Sequence, residues 1–409
     1  ALYGITPKET SRESVRLQVI LDTAYQKTGK QVVVLIDEYD SPLQHSWKTP
    51  EHKGCTEVYR SVFSVLKLKG NVLRFVFITG ITKFTQISLF SVLNHLTNIS
   101  FLPQFAPLCG ITEEEMAVNF APELEALADK MECSIEEAHD KLKTYYDGYH
   151  FSDENMTDIY NPFSLLNALS QLRLRNYWIS SGATSMLNKF VNNMELRLHD
   201  FEDCYIDKDT LETSDVIEGG AELFLYQTGY LTIKGFDEDG YSLGFPNEEV
   251  RKALYKAVLP ALTQKDITDI VSIQSKLMHS LNNGNLEEAK KCMKSLISNV
   301  PYSNKKLASM DMEERYRLII STILNAIGCK VEVEHMLSTG RIDIVASTSR
   351  FIYVVELKLT NNGGLEAAEK QIISNGYLKP FLADGRKVIG LAVELDDMGK
   401  GLIDWKEVK

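Results

Sequence analysis

At 409 residues the chain exceeds one ordinary hydrophobic core, so two or three domains are expected. A composition of 44% apolar and 24% charged residues is that of a globular chain, and no run reaches the roughly 18 to 20 apolar residues of a membrane span. The formal charge of −12 lies outside the last hundred residues: 305–409 hold 15 basic and 15 acidic side chains, and the remainder 29 and 41. Nucleic acid, if bound, fits that neutral C-terminal third best.

The N-terminal run "ALYGITPKETSRESVR" lacks a basic-then-apolar secretory signal, and it begins at Ala1, which predicts a fragment or a processed product. Cys55, Cys109, Cys133, Cys204, Cys292 and Cys329 are scattered without a C-x-x-C pair, and the histidines show no metal-ligand spacing. That pattern argues against zinc and against a disulfide framework, and it predicts a reducing cytoplasm.

In chain order, "ESVRLQVILDTAYQKTG" reads as an amphipathic helix capped by Gly29. "QVVVLIDE" and "VLRFVFITG" (72–80) read as buried strands separated by helix, which predicts a parallel α/β sheet. Ligands of such sheets bind at the carboxyl ends of the strands, where Asp37, Glu38 and Thr79 stand. "GITEEEM" opens a helix with Thr112 and Glu115 at capping-box spacing, and 113–146 is mainly helical up to the Asp-Gly turn of "YYDGYHF".

Between 216 and 262 the pattern is a helix ending at Gly229, two strands joined by "DEDG", and a helix capped by Asn247. Helix, hairpin, helix is winged-helix-like. The region is acidic, so a connecting subdomain that touches no DNA is the favoured reading. A polar helical bridge over 263–300 follows, and "VPYSNKK" (300–306) reads as the last linker.

The C-terminal hundred residues carry the most specific pattern. "MEERYRLIISTILNAIG" is an amphipathic helix with Tyr316, Ile320, Ile323 and Ile327 on one stripe. Glu313 extends that stripe inward, whereas Glu314 is turned away by about 100°. "CKVEVEHML", "GRIDIVAST" and "FIYVVELKL" are strand-like, with "STSR" (347–350) as the turn between the last two. Centring the turn there places Asp343 opposite Val354 and diagonal to Glu356, on one face, with Lys358 two residues beyond. Charges on an otherwise apolar face are costly unless paired or bound to metal. A simple Glu356–Lys358 ion pair at a strand end is the bland explanation, and it leaves Asp343 without a purpose.

"GRIDIVAST…FIYVVELKL" resembles the core of the PD-(D/E)XK nuclease superfamily, the restriction-endonuclease-like α/β fold. Asp343 matches its first acid, Glu356 the second, Lys358 the lysine, and Glu313 the acid often found on the first helix. "GGLEAAEKQIISNGY" matches the second helix, with Gln371 and Tyr377 at the spacing of one branch, and "RKVIGLAVEL" the closing strand. The likeness covers roughly 305–395. It implies Mg²⁺-dependent phosphodiester cleavage. Asp343, Glu356 and the carbonyl of Leu357 would hold the ion, Lys358 would orient water or stabilise negative charge, and Glu313 and Gln371 would assist.

"LIDEYDSPL", "FVFITGITKF", "SLFSVLNHLTNIS", "CGITEEEM", "YYDGYHF", "YNPFSLLNAL", "YWISSGATSML" and "LYQTGYLTIK" occur in an order similar to that of bacterial AAA-ATPase-like proteins. That likeness implies a partial P-loop NTPase-like parallel sheet. Asp37 would be its Walker B acid on Mg²⁺, Glu38 the activator of water, and Thr79 the strand-end residue near the γ-phosphate. No G-x-x-x-x-G-K-[ST] occurs in the sequence, and "TGKQ" and "MGKG" do not supply one. The expectation is that the phosphate-binding loop lay before Ala1, so that ATP belongs to a complete protein carrying it.

The resulting organisation is an AAA-ATPase-like core lacking Walker A (1–150), a helical and winged-helix-like region (151–262), a bridge and linker (263–304) and a nuclease-like domain (305–409). Three functions compete. One is a Mg²⁺-dependent nuclease, with DNA favoured over RNA, coupled to an ATPase-like regulatory module. The second is a non-catalytic nucleic-acid-binding or regulatory protein retaining the fold. The third is an ATPase whose C-terminal domain only binds nucleic acid. No membrane contact is expected, and a homo-oligomer is left open.

Overall fold

The computed structural model describes residues 12–46, 49–81, 96–178, 187, 201, 204–213, 220–263, 267–298 and 311–408. The expected linker over 300–306 and most of "SLFSVLNHLTNIS" and "YWISSGATSML" lie outside them.

In chain order the elements begin with α1 (Glu13–Thr28), β1 (Val32–Ile36), α2 (Ser41–Ser46), α3 (His52–Leu68) and β2 (Leu73–Ile78). Next come β3 (Ile111–Thr112), α4 (Glu113–Asn119), α5 (Ala121–Met131), α6 (Ile135–Tyr146), β4 (Ile159–Tyr160) and α7 (Pro162–Gln171). The middle of the chain adds β5 (Cys204–Asp207), α8 (Lys208–Thr213), α9 (Gly220–Gln227), β6 (Thr232–Phe236), β7 (Gly240–Gly244) and α10 (Glu248–Thr263). Two bridging helices follow, α11 (Ile267–Asn282) and α12 (Leu286–Ile297). The C-terminal elements are α13 (Met312–Ile327), β8 (Lys330–Leu337), β9 (Gly340–Ser347), β10 (Phe351–Leu359), α14 (Gly364–Ser374), β11 (Lys387–Leu395) and β12 (Leu402–Val408).

Two compact units take interleaved stretches of chain: 1–116, 148–160 and 203–244 form one, and 117–147, 161–202 and 245–409 the other. In the first unit, Gly29 closes α1 in the left-handed region at φ +65, donating its N–H to the carbonyl of Tyr25. β1 and β2 pair in parallel from Val32↔Leu73 to Ile36↔Ile78. They form a sheet of only two strands, so the wider P-loop-type sheet is not found among the described residues. The apolar runs there supply two strands, and Val33, Leu35 and Phe75 remain exposed at 53, 70 and 52%.

The capping box at the head of α4 forms as its spacing predicts. Thr112 donates its N–H to Glu115 at 3.0 Å, and Glu115 donates its N–H to Thr112 Oγ1 at 3.2 Å. The hairpin β6–β7 forms as expected and gains a third strand, since β5 pairs with β7 from Cys204↔Leu243 to Asp207↔Gly240.

The second unit is built on a five-stranded sheet of order β12-β11-β10-β9-β8, in which only β10 and β11 run parallel. α14 packs against β10, β11 and β12, and the core there includes Ile352, Val354, Ala368, Ile372 and Ala392. α13 packs against β8, β9 and β10 and also against α10 and α11. That double packing explains why nine consecutive positions, Leu318 to Ala326, are all buried. Polar bonds reinforce it: Arg251 of α10 donates to Asn325 Oδ1 and to the carbonyl of Cys329. Tyr353 donates to the carbonyl of Leu281, and Lys290 pairs with Asp404 at 2.9 Å. Among the described residues no helix is long and apolar enough to cross a membrane.

Candidate metal-binding site of the C-terminal sheet

The register of the β9–β10 hairpin decides the site. Ser347 pairs with Ile352 and Ile344 with Val355, because Thr348 Oγ1 accepts the N–H of Phe351 and closes a tighter turn. The turn is thus centred one residue later than the sequence predicts, and each strand partner moves by two. Asp343 therefore falls opposite Glu356 when this register continues, and the expected partnership with Val354 is corrected. A shift of two keeps every side chain on its face, so the two carboxylates still meet.

Asp343 is 6% exposed and Glu356 1%. Asp343 uses both oxygens: Oδ2 accepts the N–H of Leu357 at 2.8 Å and Oδ1 accepts from Arg317 Nη1 at 3.0 Å. Glu356 is poorer in partners. Its Oε1 accepts from Lys358 Nζ at 3.0 Å, while Oε2 is buried without a hydrogen bond. Burial, then the charge of Asp343, pushes the Glu356 carboxyl up to about 7, against the opposing pull of Lys358. The Lys358 ammonium is held above its ordinary value. Burial works against it, but Glu356, Asp343 and Glu313 together outweigh burial.

Asp311 caps α13 by accepting the N–H of Glu313, which fixes the first turn. Glu313 then lies 3.6 Å from Lys358 Nζ, so the inward stripe read from the sequence delivers it to the acids. Lys358 also donates to the carbonyl of Leu357 at 3.0 Å. Gln371 is engaged elsewhere: its amide donates to Tyr377 Oη at 3.2 Å, and Tyr377 in turn donates to the carbonyl of Arg341.

Two residues escaped the sequence reading. Arg317 stands four residues after Glu313, one turn along the same helical face, and that spacing was the available signal. Glu334 lies opposite Asp343 in the continued β8–β9 register, accepts from Arg317 Nη2 at 2.9 Å, and has a left-handed φ of 55. Nothing about a glutamate in "VEVEHM" announces that backbone.

Whether these groups suit a divalent ion can be tested on the donor set. Among the described residues no three His, Cys, Asp or Glu side chains form a ready cage. Two buried carboxylates, one with an oxygen lacking any hydrogen bond, are nevertheless the hard oxygen donors Mg²⁺ takes while keeping several waters. The set fits.

At the carboxyl end of the parallel pair, Thr79 Oγ1 donates to Asp37 Oδ1, which also accepts the N–H of Glu38 at 2.9 Å. Glu38 has φ 51, and both acids are exposed. The structure thus joins Asp37 and Thr79 as their strand-end positions predict. Asp40, which the sequence reading passed over, is the buried acid here at 1% exposure and accepts the N–H of Ile81.

Residues 311–405 match the family model of the PD-(D/E)XK nuclease superfamily, and residues 2–90 that of a predicted AAA-ATPase. An uncharacterized protein in the vnfD 5'region of Azotobacter chroococcum mcd 1 is 28% identical over 405 residues, 97% of this chain and 75% of that relative. No solved structure matches.

Proposed function

We propose that this chain, with a PD-(D/E)XK nuclease superfamily domain at 311–405 and an AAA-ATPase-like segment at 2–90, is a Mg²⁺-dependent nuclease that acts on DNA. The observation that supports this most is the buried, partnerless Oε2 of Glu356 beside Asp343 and Lys358. An isolated buried carboxylate oxygen is costly, and a cation removes the cost. Asp343 and Glu356 are the proposed ligands. A bound Mg²⁺ supplies charge that stabilises the phosphate's developing negative charge and lowers the pKa of water.

The chain's own groups do the rest. Lys358 directs its ammonium at the oxygen on which charge develops, and Glu356, Asp343 and Glu313 keep that ammonium charged. Arg317 and the amide of Leu357 hold the two oxygens of Asp343 in place. The AAA-ATPase-like segment is proposed as a regulatory module, in which Asp37, Glu38 and Thr79 would serve Mg²⁺, water and the γ-phosphate.

The test is cleavage of plasmid and single-stranded DNA with Mg²⁺ or EDTA, beside Glu356→Ala. Metal-dependent cutting that the variant loses carries the reading. Binding without cutting, equal in both proteins, overturns it in favour of a non-catalytic module. That second reading has its own observation: Lys358 already satisfies Glu356 Oε1 and the Leu357 carbonyl, a closed arrangement that needs no turnover.

A further inference from the structure

Arg317 is placed where a structural arginine has little reason to be. It is 13% exposed, partly buried beside the acids of the site, and its two terminal nitrogens go to different carboxylates: Asp343 Oδ1 at 3.0 Å and Glu334 Oε1 at 2.9 Å. Glu334 is tied a second time, by Arg341 Nη1 at 3.0 Å. It stands in β8 opposite Asp343 with a backbone conformation that side-chain-bearing residues rarely adopt, φ 55. Such a conformation persists only where its surroundings hold it. The Glu334 side chain is tied there by the guanidinium groups of Arg317 and Arg341.

We infer that Arg317 is a positioning residue whose charge, shared between Glu334 and Asp343, sets how tightly and in what orientation Asp343 receives a divalent cation. This rests on the metal-site reading above and adds its regulation.

The physical argument is electrostatic. A guanidinium on Oδ1 fixes the carboxylate plane, because the other oxygen is already pinned by the Leu357 amide. The same positive charge repels an incoming cation through a partly desolvated path. Glu334 moderates that repulsion by taking half of the fork. Orientation and affinity are thereby opposed: the arginine aligns Asp343 for chemistry while holding metal affinity down.

The opposition gives a signature that mere loss of structure does not. The full chain is titrated with Mn²⁺, free ion being read by electron paramagnetic resonance, and DNA turnover is measured separately at saturating metal. Arg317→Gln is expected to bind Mn²⁺ about tenfold more tightly while turnover falls about tenfold. Arg317→Lys keeps the charge and is expected to return affinity to within about twofold of the parent, without full turnover. Glu334→Gln sits on a half-exposed side chain and frees the guanidinium to act wholly on Asp343. It is expected to bind Mn²⁺ about tenfold more weakly, the opposite sign to Arg317→Gln.

If Arg317→Gln and Glu334→Gln shift Mn²⁺ affinity in the same direction, or not at all, the inference is overturned. Should Arg317→Gln fail to fold, the weakening in Glu334→Gln and the retained affinity in Arg317→Lys decide it. A parent chain that binds Mn²⁺ with the predicted variant signs but cuts no DNA sinks the nuclease reading and leaves this one standing. A parent that binds no Mn²⁺ sinks both.

Discussion

Two pairs of acids, one within the strands of the C-terminal sheet and one just after a strand, sit in opposite surroundings. Asp343 and Glu356 belong to a five-stranded sheet covered by α13 and α14, are almost fully buried, and meet Arg317 and Lys358 at hydrogen-bond distance. Asp37 and Glu38 end a strand of a two-stranded sheet and stay exposed. Similar residues therefore have different chemical potential. Burial raises Glu356 to about 7 and leaves one oxygen bare, whereas Asp37 is satisfied by a neighbouring hydroxyl and amide. A pair of acids becomes a candidate reactive centre only when the fold withdraws its water.

That contrast can be broken by cleavage measurements first. Glu356→Ala is expected to lower Mg²⁺-dependent DNA cutting by about a thousandfold, read as initial rates on plasmid. Residual cutting near the parent level would place the chemistry elsewhere.

Stability against pH gives the next largest effect. The folded Glu356 holds its proton up to about 7, while the unfolded group releases it near 4.5. Between those values the native state binds more protons, so rising pH favours unfolding. The contribution is present below 4.5 and lost through about 7, amounting to up to about 3 kcal/mol. Buried Glu249 is shifted upward as well, mainly by burial, and adds the same sign. The check is therefore a difference: in metal-free urea unfolding from pH 4 to 8, Glu356→Gln should flatten the slope relative to the parent.

The exposed pair yields smaller numbers. A Cβ at Gly80 would lie 2.5 Å from both the Asp40 carboxylate and the Tyr39 ring, so Gly80→Ala should cost about 1–3 kcal/mol of the first unit's stability. Thr79→Val removes the hydroxyl bonded to Asp37 and should cost only about 0.5–1 kcal/mol in the same unfolding experiment. A cost from Thr79→Val as large as that of Gly80→Ala would show the acid there to be held far more tightly than its exposure implies.

The sequence carries this architecture unevenly. The helix–strand order of 312–395 was legible because each apolar run has one dominant period, and Glu313's place on the stripe of α13 predicted its approach to Lys358. The hairpin register was misjudged by two because Thr348, not the sequence spacing, decides where the turn closes. β12 went unread: its buried residues Leu402, Trp405 and Val408 are spaced by three, a helical interval, although the segment pairs with β11 as a strand. Gln371 and Tyr377, matched together by their spacing, are joined by a hydrogen bond. The two parallel strands were legible as apolar runs, but such runs look the same whether or not other strands flank them.

Arg251 makes residue 305 a poor place to cut. A piece comprising 305–409 alone would strip α10 from α13, leaving Asn325 and the Cys329 carbonyl without their guanidinium. It would also take the Leu281 carbonyl from Tyr353 and Lys290 from Asp404. The compact unit that holds the sheet also contains α10, α11 and α12, so an excised segment should gain order by proteolytic criteria when they travel with it.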